Sequence, residues 1–472
     1  VPTAAPARAP ARAVAVLLVV AAVLLGGAGP ALADGGPAGA DVHVAQSLGD
    51  RELTVVLRAV DAVPGPLRVD VVAHAGTTPG PLGVRLRADG VDTAAADLVL
   101  AAGPSTRGVT LPVGHAGPWE LLLVDGDLVA SVPFVVPAAV PAPWERAAYG
   151  GFVAAGVLLA AALGTALRAR RTATALVPAG GAVVALTVAV TAALLSATIP
   201  APPEPGTLTD PTRAGVQDPW SAPPPGDPSR PPAVLTATAP GGAVGVATDV
   251  LVELVDGATG RPVDDLLVHH DSFLHLVLVG PSGRLWHLHP VRTGPGRYTA
   301  RFTPPDPGRH AVAAEFARRG GGTQLARTEL DVPGAAGSAP AVDPPDPSAA
   351  VSAAPAPAGA VSTLAVRVGE AADLQPWLGM TGHLLVAGPL PGDGPVGAAV
   401  ADAPVWAHVH STTGLPAGPA AARPDVTVAA FGPEVRFTYA FPRPGRYRLW
   451  FQTMRGSRVV TVPTVVDVPP AP

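Results

Sequence analysis

The stretch His275-Leu276-Val277-Leu278-Val279-Gly280-Pro281-Ser282-Gly283-Arg284-Leu285-Trp286-His287-Leu288-His289 decides how the chain is read. Gly280 to Arg284 carries the residues of a hairpin with a three-residue loop. Pro281 suits position i+1 of a type I turn, and Gly283 suits the left-handed bulge position. That loop pairs Gly280 with Arg284, Val277 with His287 and His275 with His289. Successive strand residues face opposite sides, so His275, His287 and His289 share one face. Leu276, Leu278, Trp286 and Leu288 take the other, as a core layer should. A two-residue loop would move His275 away from the pair, so the reading rests on the turn.

The same landmarks return further along the chain. Asp265-Leu266 precedes His275 as Asp373-Leu374 precedes His383. His275-Leu-Val matches His383-Leu-Leu. Trp286-His287-Leu288-His289 matches Trp406-Ala407-His408-Val409-His410, after a longer loop in the second copy. Pro307-Gly308-Arg309-His310 matches Pro444-Gly445-Arg446-Tyr447, and the copies close on Leu330-Asp331-Val332-Pro333 and Val466-Asp467-Val468-Pro469. This ordered set marks an internal repeat, with modules at 233–333 and 360–469.

The repeat preserves one histidine at the start of a strand and an H-x-H on a later one. Clustered imidazoles bind Zn²⁺ or Cu²⁺, so two metal sites are expected: His275, His287 and His289, and His383, His408 and His410. His269, His270 and Asp271 are candidates for a further ligand in the first copy. Met380, three residues before His383, is a candidate soft ligand that would favour Cu(I). The alternative is a polar sheet face without metal. His310 aligns with Tyr447 and is not expected to ligate. His43, His74 and His115 are read as ordinary structural histidines. Trp377, Trp450, Phe437, Phe441 and Phe451 are read as core. No nucleophile elbow, phosphate loop, HExxH or dinucleotide fingerprint is present, so no catalytic residue is assigned and the chain is read as a non-enzyme.

Around these modules the chain is apolar. Of 472 residues 48% are hydrophobic and only 14% charged, which points to membrane segments. Tyr149 to Leu167 carries no charge and spans about 28 Å as a helix; Ala173 to Ile199 is also uncharged. Between them lies Arg168-Ala169-Arg170-Arg171-Thr172, a short basic connector expected to stay cytoplasmic. A two-helix transmembrane hairpin at 149–199 is therefore expected, with Pro178, Gly180 and Gly181 kinking or delaying the second helix. Neither span holds an ionisable group, so the hairpin reads as an anchor. Residues 1–33 read as a signal peptide: Arg8 and Arg12, an apolar run from Ala13 to Leu25, then Ala31-Leu32-Ala33 as cleavage site. Residues 41–137 show short alternating strands, among them Leu53–Leu57, Leu67–Val72 and Trp119–Val124. They suggest an immunoglobulin-like β-sandwich outside the membrane. Pro-rich 200–232 and Ala/Pro-rich 334–359 are read as linkers.

The absence of cysteine excludes disulfides and thiolate metal sites. The formal net charge of −5, with no dense basic tract, gives no reason to expect nucleic acid. All basic residues are Arg and Asn is absent, which reflects GC-rich coding rather than phosphate recognition.

Two segments carry a resemblance: Asp373-Leu374-Gln375-Pro376-Trp377-Leu378-Gly379-Met380-Thr381-Gly382-His383 and Ala407-His408-Val409-His410. With Phe441-Pro442-Arg443-Pro444-Gly445-Arg446-Tyr447-Arg448-Leu449-Trp450, they resemble actinobacterial secreted β-sandwich domains of the YtkA-like and FixH-like type, distantly CopC-like. Ser411 stands where that pattern has Pro, and the first copy lacks the L-G-x-x-G-H segment. The resemblance implies a β-sandwich fold and an association with copper or other heavy metals. The expectation is thus mainly β with transmembrane helices: three immunoglobulin-like sandwiches and a membrane hairpin, anchored in the cell membrane with N- and C-terminal domains extracytoplasmic. Expected partners are the membrane, a copper or zinc ion, and no nucleic acid. The alternative is an envelope protein-interaction module without metal.

Overall fold

The structure, a computed structural model, describes residues 41–60, 62–136, 143–168, 172–196, 232–319, 321–335, 347–392, 394–415 and 425–472. The expected signal peptide, nearly all of the linker at 200–232 and residues 197–199 of the second helix lie outside them. The chain is mainly β, with several sheets and two long apolar helices. It divides into two compact units, a helical one containing 141–201 and a β unit containing 35–140 and 202–472.

In the helical unit, α1 (Pro143–Arg168) and α2 (Leu176–Ser196) are each long and apolar enough to cross a membrane. A short 3₁₀ turn at Thr172–Ala175 leads into α2. Pro178 therefore falls in the first turn of α2, where a missing N–H costs no helical bond. The two helices touch through small residues. A Cβ on Gly151 would lie 2.8 Å from the Ala189 Cβ and 2.9 Å from the Ala185 carbonyl oxygen. Small residues at such a contact let the two backbones approach closely.

The N-terminal β-region has eight strands: β1 (Val42–Leu48), β2 (Arg51–Leu57), β3 (Gly65–Ala73), β4 (Gly80–Ala88), β5 (Val91–Leu100), β6 (Ser105–Val113), β7 (Gly117–Asp125) and β8 (Leu128–Val136). They form two antiparallel sheets, in the orders β1-β2-β3-β6 and β5-β4-β7-β8. Alternating residues such as Leu53, Val55 and Leu57, or Leu82, Val84 and Leu86, are buried in one core. That is the period-two pattern of a strand with one buried face.

The second region comprises β9 (Ala233–Thr238), β10 (Thr248–Asp256), β11 (Leu266–Leu267), β12 (His275–Val279), β13 (Leu285–Leu288), β14 (Val291–Gly294), β15 (Arg297–Phe302), β16 (Gly308–Arg318) and β17 (Gly322–Val332). The third has β18 (Ala349–Ser352), β19 (Val361–Val368), β20 (Leu374–Gln375), β21 (Gly382–Gly388), α3 (Val396–Ala401), β22 (Val405–Ser411), β23 (Glu434–Ala440), β24 (Gly445–Arg455) and β25 (Arg458–Val468). One sheet of the second region runs β11-β16-β12-β13 with β17 on β16. Its counterpart in the third runs β20-β24-β21-β22 with β25 on β24. The repeat read from sequence is thus a repeat of pairing. Its edges match as well: Arg318 bonds Asp265 at 3.0 Å, and Arg455 bonds Asp373 at 2.8 Å. The expected linker to residue 359 is partly strand, since Ala349–Ser352 pairs along Val361–Val368. Its Ala, Val and Ser residues bury too little to announce a strand.

The decisive hairpin has the expected loop. The Gly280 amide donates to the Arg284 carbonyl at 2.9 Å, and the Gly283 amide to the Gly280 carbonyl at 2.9 Å. Gly283 has φ of 86°. A side chain there would also strike the Arg448 guanidinium of the third region, 2.7 Å from an added Cβ. Val277 pairs with His287 as expected, and Leu276 and Leu278 enter the core with Trp286 and Leu288 packed against it.

The histidine-bearing faces of the two repeats are buried against each other. Val277, Val279, Leu385, Ala387 and Trp450 form a separate apolar cluster between them. The Trp450 indole donates to the Gly283 carbonyl at 3.0 Å. The extra loop of the third region folds into α3 and grips the second: Arg327 donates to the carbonyls of Val400, Ala401 and Ala403, and Arg309 makes a two-pronged pair with Asp402 at 2.8 and 2.9 Å. The sequence reading gave these faces no partner.

The helix contact gives a direct test. Gly151→Leu should force α1 and α2 apart, whereas Gly156→Leu meets nothing within 4 Å. In detergent, the helical circular-dichroism signal of Gly151→Leu should melt several degrees below that of wild type and Gly156→Leu. Equal melting of all three would contradict the packing.

Candidate metal centre

The two histidine trios form as expected. Within His275, His287 and His289 the potential donor atoms all lie within 4.8 Å of one another, and the same holds for His383, His408 and His410. His383 pairs directly with His410, and Leu385 with His408. All six rings sit at the contact of the two repeats. His287 and His408 have ring centres 5.1 Å apart, so the trios are neighbours.

Hydrogen-bond partners fix which nitrogen is available in five of the six rings. The His383 Nε2 lies 3.1 Å from the Trp377 carbonyl, and the His275 Nε2 lies 3.0 Å from the His269 carbonyl. A carbonyl only accepts, so in a neutral ring each Nε2 carries the proton and Nδ1 keeps its lone pair. The His408 Nδ1 lies 3.1 Å from the Glu315 carboxylate, and the His289 Nδ1 lies 2.9 Å from the Glu52 carboxylate. Those rings therefore keep their lone pair on Nε2. The His287 Nδ1 lies 2.9 Å from the Gln452 Oε1, an orientation in which the Gln452 amide donates to Thr461. The first trio thus presents one Nδ1 and two Nε2, and the second presents one Nδ1 and the His408 Nε2 beside a buried His410 Nε2.

These lone pairs face each other. His383 Nδ1 and His408 Nε2 are 3.1 Å apart, and His275 Nδ1 and His287 Nε2 are 3.2 Å apart. Two imidazoles bound to one tetrahedral ion at about 2.0–2.1 Å would have nitrogens roughly 3.3 Å apart. The remaining donors, His289 Nε2 and His410 Nε2, are buried without a hydrogen-bond partner. A buried polar atom left so costs about 1–3 kcal/mol. For His275 and His287 a proton does not resolve the crowding. Burial first, and the other histidines second, hold His275, His287, His383 and His410 far below the ordinary imidazole range.

The bracing crosses the repeat. Glu315 lies opposite His275 on its own sheet, and Gln452 lies opposite His383. These equivalent residues each reach to the other copy: Glu315 to His408, and Gln452 to His287. No sequence motif marked them. Their signal was positional, two long polar side chains at matched places on otherwise apolar strands.

Other sequence candidates fall differently. The turns before each trio are equivalent, His269 to Ser272 and Trp377 to Met380, each closed by reciprocal backbone bonds. His270 and Asp271 have φ of 47° and 61°, and Leu378 and Gly379 of 53° and 73°. The turn of the L-G-x-x-G-H segment thus exists in both copies, although only one has that sequence. Met380 corresponds to Ser272, so a thioether is not part of the donor set that the copies share. His269 and His270 converge with Glu315 instead of joining the first trio, and the His270 ring lies tilted against His410 of the other copy, with ring centres 3.9 Å apart. His310 bonds the Gly308 carbonyl and packs on Trp286 and Phe302. In the N-terminal region, His74 bonds Thr54 at 2.8 Å, and His115 stacks on Trp119. Trp377, read as core, is buried but stands with its ring 4.8 Å from His383 and 5.0 Å from His287.

Residues 348–470 match a family described as "Domain of unknown function (DUF8832)". No curated protein matches. Among solved structures, dimeric latent PorU from Porphyromonas gingivalis is 10% identical over 87% of this chain and 32% of its own, with a TM-score of 0.16. The E. coli alpha-2-macroglobulin is 11% identical, covering 89% and 32%, at 0.17. A tetra-tandem repeat of a large adhesion protein is 9% identical, covering 91% and 74%, at 0.15. This chain spans about a third of the first two, and likeness at this level carries no argument.

The depressed imidazoles set a pH dependence. In the unfolded chain these rings titrate near 6.5; in the fold they stay neutral well below it. The unfolded state therefore binds protons first as pH falls. Metal-free stability should be full above pH 6.5 and drop below it, by up to about 1.4 kcal/mol per pH unit for each such histidine. Urea midpoints at pH 7.5 and 5.5 check this; an equal or higher midpoint at 5.5 would contradict it.

Proposed function

We propose that the chain is a membrane-anchored extracytoplasmic protein that binds two transition-metal ions, copper or zinc, one on each histidine trio. The observation that carries this reading is the facing of His383 Nδ1 and His408 Nε2 at 3.1 Å with both second nitrogens committed to acceptors. Two lone pairs aimed at each other across that gap repel. A cation between them turns the repulsion into ligation, and the buried His410 Nε2 supplies a third bond. Three converging imidazoles suit Zn²⁺ and Cu²⁺. The carboxylates behind His408 and His289 raise ligand basicity and hold the rings.

On this reading the six sheets are three immunoglobulin-like sandwiches, in keeping with the YtkA-like and FixH-like resemblance of the third region. The helices anchor the chain, with Arg168 to Thr172 on the cytoplasmic side and all three β-regions outside. The role is binding rather than catalysis.

The full chain in detergent should bind two equivalents of Zn²⁺ or Cu²⁺ by calorimetry and metal analysis. His408→Ala with His410→Ala should remove one equivalent, and His287→Ala with His289→Ala the other. Circular dichroism of each variant reports whether the fold survives. A wild-type chain that binds neither ion would favour the metal-free interaction module. Because Glu315 and Gln452 brace the site of the opposite copy, a third region expressed alone should bind more weakly than the whole chain.

Topology is tested separately in this cysteine-free chain. Cysteines placed at the exposed Thr106 and Ser352 should react with an impermeant thiol reagent in intact cells, and one at Thr172 should not. Labelling of Thr172→Cys alone would reverse the orientation.

A further inference from the structure

The first trio has a neighbour that the second lacks. The N-terminal region reaches it through β1 and β2. The Ser47 amide donates to the His289 carbonyl at 2.8 Å, and the His289 amide donates to the Ser47 hydroxyl at 2.9 Å. The Ser47 hydroxyl donates in turn to one Glu52 oxygen at 2.7 Å, while the other Glu52 oxygen accepts from His289 Nδ1 at 2.9 Å. The Ala45 amide bonds the Asp271 carbonyl at 2.6 Å. Ala45 also packs on Trp377, Leu378 and Met454 of the third region. Glu52 and His74 then line a cleft of about 270 Å³ with His287, Trp377 and Gln452. No member of the second trio lines that cleft.

We infer that Glu52 is a positioning residue of the first histidine site, which is thereby completed across all three β-regions and whose metal fastens the N-terminal region to the other two. This rests on the metal-binding reading above. The side chain of His289 is wholly enclosed, and its Nε2 has no other partner. Glu52 decides which nitrogen of that ring bears the proton. With the carboxylate on Nδ1, Nε2 faces His275 and His287 as a lone pair. Without it, the proton is free to move to Nε2 and the ring ceases to be a ligand. His410, the repeat equivalent of His289, has His270 against it instead. The effect of Glu52 is therefore confined to one site.

The test is Cu²⁺ titration of the full chain, followed by calorimetry and electron paramagnetic resonance. Wild type should show two sites. Glu52→Ala should weaken one by about 10- to 100-fold and alter one of two copper signals, leaving the other unchanged. Glu52→Gln keeps an acceptor for Nδ1–H and should recover much of the loss. Metal should raise the thermal midpoint of wild type more than that of Glu52→Ala. Two unchanged affinities and signals in Glu52→Ala would overturn the inference while leaving the binding function intact. Equal weakening of both sites would overturn it as well, as a general effect on the fold. A wild-type chain that binds neither Cu²⁺ nor Zn²⁺ would instead sink the reading on which the inference rests.

Discussion

The arrangement depends on burying two imidazole-bearing sheet faces against one another. Imidazoles are costly to bury unless each nitrogen has a role. Here one nitrogen of each of five rings is committed to a carbonyl, an amide oxygen or a carboxylate. The other nitrogens converge in threes. That division of labour explains why the contact is made of matched residues and why a carboxylate or amide from the facing copy is needed. Glu315 and Gln452 cannot serve their own copy in this way; each lies on the sheet of one repeat and reaches the ring of the other.

The apolar part of the same contact supplies the holding force. Val277, Val279, Leu385 and Ala387 lie beyond the histidines on the same strands, and Trp450 joins them from β24. Fully burying side chains of this kind stabilises by about 1.5–3 kcal/mol each. The hydrogen bonds then decide register rather than strength. Gly283 shows how closely the surfaces meet: its turn needs a positive φ, and the Arg448 guanidinium occupies the place a side chain would take. The longer loop of the third region, folded as α3, adds a clamp that the second has no counterpart for. Duplication made two similar sheets, and that insertion made them a specific pair.

Asymmetry enters through the neighbours. Glu315 carries a charge where Gln452 does not, and Glu52 comes from the N-terminal region to one trio only. The donor residues are alike in both trios, while the groups behind them differ. Charge behind an imidazole raises its basicity and tunes its hold on an ion. Two sites of common descent thus acquire different surroundings without any change in the six histidines.

The sequence by itself determined the local architecture. Pro281 and Gly283 specify the hairpin loop, the loop specifies the register, and the register brings His275, His287 and His289 to one face. The same landmarks carried that result to His383, His408 and His410. Alternation also marked β2, β3 and β7, and unbroken apolar runs marked α1 and α2. These are short-range consequences of turn chemistry and of strand and helix period. The tertiary structure decided what those faces meet. Nothing near His408 in the chain points to Glu315, or near His289 to Glu52, because such contacts join residues 93 and 237 positions apart. The polar face read from one hairpin became a buried one because a second copy offered the same face. Only three-dimensional packing pairs surfaces that sequence order keeps separate.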